Sequence, residues 1–164
     1  MELTPELFRD VLGRLAGGVS IVTTRDGNGQ PRGFTATAVC SVSLEPPLVL
    51  VCVGHESHTL EAIRSSGFFA LNLLDSGSRE LSDRFASAAD GKFGDLEWWE
   101  GPHGSPLLAG DLAWVECDVE QELDAGDHSI VLGRVLAVSV EKTDGEPLVH
   151  YLGRYRTLQA EAHS

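Results

Sequence analysis

The chain has 164 residues, 42% of them apolar and 23% charged, which predicts one folded domain over 1-164 with a sizeable core. Its formal net charge of -13 leaves no footprint for nucleic acid, so a phosphate-bearing ligand must be held by local devices such as hydroxyls, helix N-termini and one or two cations. Cys40, Cys52 and Cys117 form no C-x-x-C and sit in apolar or small-residue runs, which predicts buried free thiols and a reducing cytoplasm; the first residues carry no signal-peptide pattern, and no apolar run approaches the ~20 residues of a membrane span.

In chain order, Leu7, Phe8, Val11, Leu12 and Leu15 recur at helical spacing, with Thr4 as cap, Pro5 at the first helical position and Gly17-Gly18 as the stop. Val19 to Thr24 is a β-rich run. Asp26-Gly27-Asn28-Gly29 turns the chain, and Gly33 to Val42 reads as the returning strand of a hairpin. Leu48 to Val53, after Pro46-Pro47, is apolar on both faces and predicts a central strand. His58 to Ser66 predicts a short helix ending at Gly67, Phe68 to Leu74 a strand, and Ser78 to Phe85 one or two helical turns. Ser87 to Gly110, with Trp98-Trp99, predicts an ordered flap that packs on a partner subunit.

From Val115 to Leu123 apolar residues alternate with Glu116, Asp118, Glu120 and Glu122, the pattern of a half-exposed strand with an acidic outer face. Ile130 to Val140 is a long strand, and Leu148 to Tyr155 a last short one. Strands joined by short turns argue for an antiparallel barrel with helices at its ends rather than for parallel βαβ winding.

Gly33 to Ser43 is mostly small, with several hydroxyls, where a packed strand would carry bulk. Two explanations fit: a flat polar ligand lying along the strand, or a close-packed helix above it. There is no G-x-G-x-x-G, no P-loop and no G-x-S-x-G. His55 and His58 are three apart in a loop and lack the further ligands of a metal site. Ser57 and Thr59 stand where a strand meets a helix. They fit plain capping, or an anion site at the helix start with Arg84 and Lys92 as nearby cations. Asp127-His128 follows a tight turn, where His128 is either a surface residue or a donor facing a ligand.

Taken together, G-F-T-A-T-A, S-V-S-L-E-P-P-L-V-L-V, S-H-T-L-E-A-I, F-A-L-N-L-L, L-S-D-R-F-A, G-S-P-L-L, A-G-D-H and Y-L-G-R-Y run in order from about Phe8 to Leu158. In that order they resemble the short-chain flavin reductase family, NAD(P)H-dependent enzymes that supply reduced flavin to two-component monooxygenases. The resemblance implies a mainly β (α+β) fold, an antiparallel split β-barrel with short flanking helices, and a homodimer. It implies FMN or FAD as the flavin, NADH or NADPH as co-substrate, and a separate monooxygenase as recipient. Thr35, Ala36, Thr37 and Ala38 are implied to line the isoalloxazine ring, with cofactor contacts also at Gly33, Phe34, Val42 and Val53. Ser41, Ser57, His58 and Thr59 are implied to hold the ribityl chain and phosphate, helped by Arg84 and Phe85. His128 is implied to lie near the nicotinamide as the one catalytic candidate, with Tyr151 and Arg154 close by; no metal is implied. A flavin-binding barrel without turnover and a pyridoxamine-phosphate-type oxidase are the alternatives.

Overall fold

The computed structural model describes residues 3–158. Its main feature is a seven-stranded antiparallel sheet in the order β3-β2-β6-β9-β10-β5-β4. These strands are β2 (Ser20–Arg25), β3 (Pro31–Ala36), β4 (Val39–Leu44), β5 (Pro47–Gly54), β6 (Phe68–Leu73), β9 (Ala113–Ala125) and β10 (His128–Val140). Strands β3 and β4 are the two edges, yet only Thr37 and Ala38 separate them in sequence. Laid flat, seven strands would hold their edges about 29 Å apart, at ~4.8 Å per spacing. From Ala36 to Val39 the chain can span at most about 11 Å. The sheet therefore curls until its edges meet. No ladder joins β3 to β4, which leaves the barrel split along that seam.

The expected single strand Gly33 to Val42 is accordingly two strands. β3 pairs with β2, as the hairpin reading required, while β4 crosses the seam and pairs with β5. A second small sheet joins β1 (Gly17–Gly18) to β11 (Val149–Tyr151) and β12 (Arg154–Arg156). Here the expected last strand folds back on itself through a turn at Leu152-Gly153, both at positive φ.

Among the described residues three helices flank the barrel: α1 (Pro5–Leu12), α2 (His58–Ser66) and α3 (Arg79–Ala86). Thr4 caps α1 by accepting from the Leu7 N–H, and Gly13 ends it. Gly17-Gly18 is a strand rather than the helix stop. The apolar face of α1 is exposed, and no residue of that helix is buried. Ser57 caps α2, and Gly67 closes it in the left-handed conformation that glycine favours.

Val22, Val51, Val53, Leu60, Ile63, Phe69, Leu71 and Val131 fill the barrel. A second cluster, with Ile21, Leu74, Phe85, Phe93 and Leu108, lies between the sheet, α3 and the flap. The flap is ordered and carries its own hairpin, β7 (Trp98–Glu100) with β8 (Pro106–Leu108). Trp98 packs within its own chain, edge-on to Phe93 and under the Arg25 guanidinium, while Trp99 is exposed.

Two further sequence expectations need correction. Glu116 is wholly buried rather than on an acidic outer face: its carboxylate accepts the backbone N–H groups of His103 and Ser105 and so pins the flap turn. A Cβ at Gly101 would stand 2.6 Å from that carboxylate, which explains the glycine. Of the thiols only Cys117 is buried; Cys40 is exposed on β4 and Cys52 is half-buried. Burial pushes the Cys117 thiol up to about 12.

Candidate functional site

A cleft of about 900 Å³ opens between β3, the start of α2, the end of α3 and the flap residues 86–94. Its aromatic lining is Phe34, Phe85, Phe93 and Trp98. Phe85 and Phe93 meet edge-on at 5.0 Å, and Phe93 meets Trp98 the same way at 6.0 Å. A ladder of edge-to-face rings gives a rigid apolar wall. Ser57, His58 and Thr59 add a polar part of the lining at the α2 N-terminus. A smaller hollow of about 380 Å³ adjoins, sharing Arg32, His58 and Asp90 with the cleft and reaching Asp26, Glu61 and Ser65.

Of the residues singled out from sequence, Gly33, Phe34, Thr35, Ser57, His58, Thr59, Phe85 and Lys92 line this cleft. The close approach that Gly33 permits is made by Phe85. A Cβ there would stand 2.9 Å from the Phe85 ring and 2.8 Å from the Val22 carbonyl oxygen. Thr35 donates its hydroxyl to the Ser82 carbonyl at 2.6 Å. The first half of the small-residue stretch is thus built largely to seat α3. Ala36 is buried in the barrel core, and so is Val53, which has no exposed surface to offer a ligand.

Thr37 and Ala38 are exposed at the seam, Ser41 and Val42 beyond it, and none of the four lines the cleft. Arg84 also stands outside the lining, where its guanidinium is ion-paired with Asp95 of the flap. Tyr151 and Arg154 face each other in the β11–β12 ladder. His128 opens β10 opposite Gly54, with Nδ1 2.7 Å from Asp127 Oδ1. Beside it, His55 Nε2 lies 3.1 Å from Asp124, so two His–Asp pairs share this rim.

Sequence reasoning misses Arg32, Phe93 and Trp98 as lining residues; Trp98 falls in the expected flap, where only packing sets its direction. The Arg32 guanidinium is bonded to Asp26 at 2.8 Å. The Gln30 N–H and then Arg32 hold the Asp26 carboxyl below the usual carboxylate range. Lys92 donates to the carbonyl oxygens of Phe85 at 2.9 Å and Gly33 at 3.4 Å, and burial lowers its pKa. Among the described residues no group of three or more His, Cys, Asp or Glu is placed to hold a metal, and no helix is long and apolar enough to cross a membrane. Aromatic rings, hydroxyls and a cation around one cleft suit a flat, ring-bearing ligand with an anionic tail.

Comparison with known proteins agrees with that chemistry. Residues 12–159 match the family described as flavin reductase like domain. The reductase subunit HsaB of a flavin-dependent monooxygenase from Rhodococcus jostii is 40% identical over 159 residues, covering 97% of this chain and 80% of its own. A flavin reductase (NADH) from Kitasatospora aureofaciens is 40% identical over 162 residues, covering 94% and 85%. The Streptomyces globisporus NADH:FAD oxidoreductase SgcE6, solved with NAD and FAD fragments, superposes with a TM-score of 0.91 at 33% identity, covering 99% of this chain and all of that one. The fold, the cleft and these matches together place the chain in the flavin reductase family.

Proposed function

We propose that this protein takes hydride from NADH onto FMN or FAD and releases the reduced flavin to a separate monooxygenase in the cytoplasm. The observation that carries the reading is the cleft itself, with its ring-lined wall of Phe34, Phe85, Phe93 and Trp98 together with Ser57, His58 and Thr59. When bound, the flavin supplies the redox chemistry, and the protein's part is binding, orientation and exclusion of water. Phe34 and Trp98, the half-buried rings of that lining, offer apolar contact to a flat ring, while Phe85 and Phe93 are buried beside them. Thr59 is fixed at the helix start by the Ser57 cap, whose Oγ lies 3.3 Å from the Thr59 nitrogen, and the positive end of α2 favours an anionic tail. No nucleophile or acid–base pair is required for hydride transfer.

His128 is proposed to meet the nicotinamide, with Asp127 holding its Nδ1 and leaving Nε2 for the ligand. Thr37, Ala38, Ser41, Val42, Tyr151 and Arg154 are proposed as contacts of the second nucleotide or of the partner subunit.

A homodimer is proposed from the apolar surface that one chain leaves uncovered. Phe8, Val11, Leu12 and Leu15 on and after α1, Val42 and Leu44 on β4, and Leu136, Val138 and Val140 on one face of β10 are all exposed.

The reading is tested by steady-state consumption of NADH and NADPH with FMN, FAD and riboflavin. Multiple turnovers with excess free flavin are expected. Flavin binding without turnover would instead support a binding protein, and hydrogen peroxide formed at the expense of an aminated pyridoxal substrate would support the oxidase alternative.

A further inference from the structure

Four cations stand around the cleft among the described residues, and three are already neutralised. Arg32 is bonded to Asp26, Arg84 is paired with Asp95, and Arg25, over the Trp98 ring, is paired with Glu100. Lys92 differs. Its ammonium lies on the cleft wall, bonded only to two carbonyl oxygens, with Asp90 acting on it from beyond ion-pair distance. One of those oxygens belongs to β3 and the other to the end of α3, so the position is fixed by two elements of the fold. An ammonium has three donors, and these contacts use two. A partly buried cation held by neutral acceptors gains from an arriving anion, because its charged form is under-solvated. The 3.4 Å contact to Gly33 is long, so a better acceptor can displace it.

We propose that Lys92 selects phosphorylated flavins, its ammonium taking the phosphate next to the ribityl chain while the ring lies against the aromatic wall. This rests on the reading of the cleft as the flavin site. It also moves the phosphate cation from Arg84, which Asp95 neutralises, to a residue thirteen positions beyond Arg79, the first residue of α3.

The experiment is a fluorescence titration of wild type, Lys92→Met and Lys92→Arg with FMN, FAD and riboflavin, together with KM for NADH. In Lys92→Met, affinity for FMN and FAD should fall about tenfold to a hundredfold, the range of a charge-assisted hydrogen bond. Riboflavin affinity should stay within about twofold, and Lys92→Arg should recover most of the loss. Equal losses for all three flavins would make Lys92 a structural tether of the flap and overturn the proposal. A raised KM for NADH with unchanged flavin affinity would assign the cation to the nicotinamide nucleotide and also overturn it. A wild-type measurement guards against a variant that fails to fold. Calorimetry in two buffers of different ionisation enthalpy, run at alkaline pH where the lysine begins to lose its proton, should show proton uptake on binding FMN and none with riboflavin, whereas equal uptake refutes the assignment. Wild type that turns over NADH but does not prefer FMN to riboflavin sinks the Lys92 proposal alone. Wild type that binds no flavin sinks the reading of the cleft as well.

Discussion

Replacing Asp111 by asparagine should flatten the loss of stability that this protein suffers between pH 5 and 8. Asp111 lies wholly buried in the turn between β8 and β9, and neither carboxylate oxygen has a hydrogen-bond partner among the described residues. Burial, followed by the negative charge of Asp75, pushes its pKa up to about 8; Lys142 opposes this and Glu141 adds to it. In the folded protein the group is therefore a neutral acid at pH 7, while in the unfolded chain it ionises near its ordinary value of 3.8. Between those two values the unfolded state has released a proton that the folded state still holds. Rising pH then favours unfolding by about 1.4 kcal/mol per unit for one proton. From pH 5 to pH 7 the folded state loses about 2.7 kcal/mol on this account, a large share of a typical 5–15 kcal/mol stability. Above about pH 8 the loss levels off.

Glu122 works in the opposite sense and in another window. Its bonds from Arg64 and Ser129 lower it to about 2, so its contribution is present above pH 4.5 and fades only in stronger acid. The assay is urea unfolding at 25 °C at pH 5, 6, 7 and 8 for wild type and Asp111→Asn. The difference between the two free energies should change steadily across pH 5 to 7 in favour of the variant. Parallel profiles would refute the claim that the acid is protonated in the fold.

Gly33→Ala should lower stability by about 1–3 kcal/mol, the usual cost of overpacking, and weaken flavin binding because Phe85 must shift; unchanged urea midpoint and affinity would show that the glycine is not there for Phe85. His128→Ala should keep its flavin affinity yet lose as much as about a hundredfold in kcat/KM for NADH, the scale of a lost positioning contact. Wild-type rates in stopped-flow reduction of bound flavin would remove His128 from the site. Light scattering at micromolar concentration should give the mass of a dimer, and Phe8→Glu with Val138→Lys should shift it toward monomer; a monomeric wild type would mean that the exposed apolar faces serve something else.

The strand and helix pattern was legible because each element carries local signals. His58–Ser66 was read with both ends in place, since Ser57 and Gly67 cap it locally. What local signals could not show was the seam. Gly33 to Val42 is uniformly strand-like, and nothing in it marks Thr37-Ala38 as the crossing from one edge of the sheet to the other. Glu116 fits the outward alternation of its strand, and only the flap folding back over it makes it internal. The cleft was half legible for the same reason. Its helix-start wall, Ser57 to Thr59, announces itself by capping chemistry, while Phe93 and Trp98 become lining residues only through the packing of a long loop.

Charge is where composition misleads most. The chain carries 12 basic side chains against 25 acidic ones, so a basic residue near a site looks valuable simply because it is scarce. Scarcity also means that most cations have a carboxylate close by. Arg25, Arg32, Arg64, Arg84, Arg134 and Lys142 are each bonded to an acid. A guanidinium already held by a carboxylate must give up that bond, or share it, before it can serve an anion. The useful cation in an acidic protein is one that the fold holds with neutral acceptors instead. Main-chain carbonyls can do this, because their partial charge fixes an ammonium in place without cancelling it. Lys92, tethered to the oxygens of Gly33 and Phe85, is held in that way on the cleft wall.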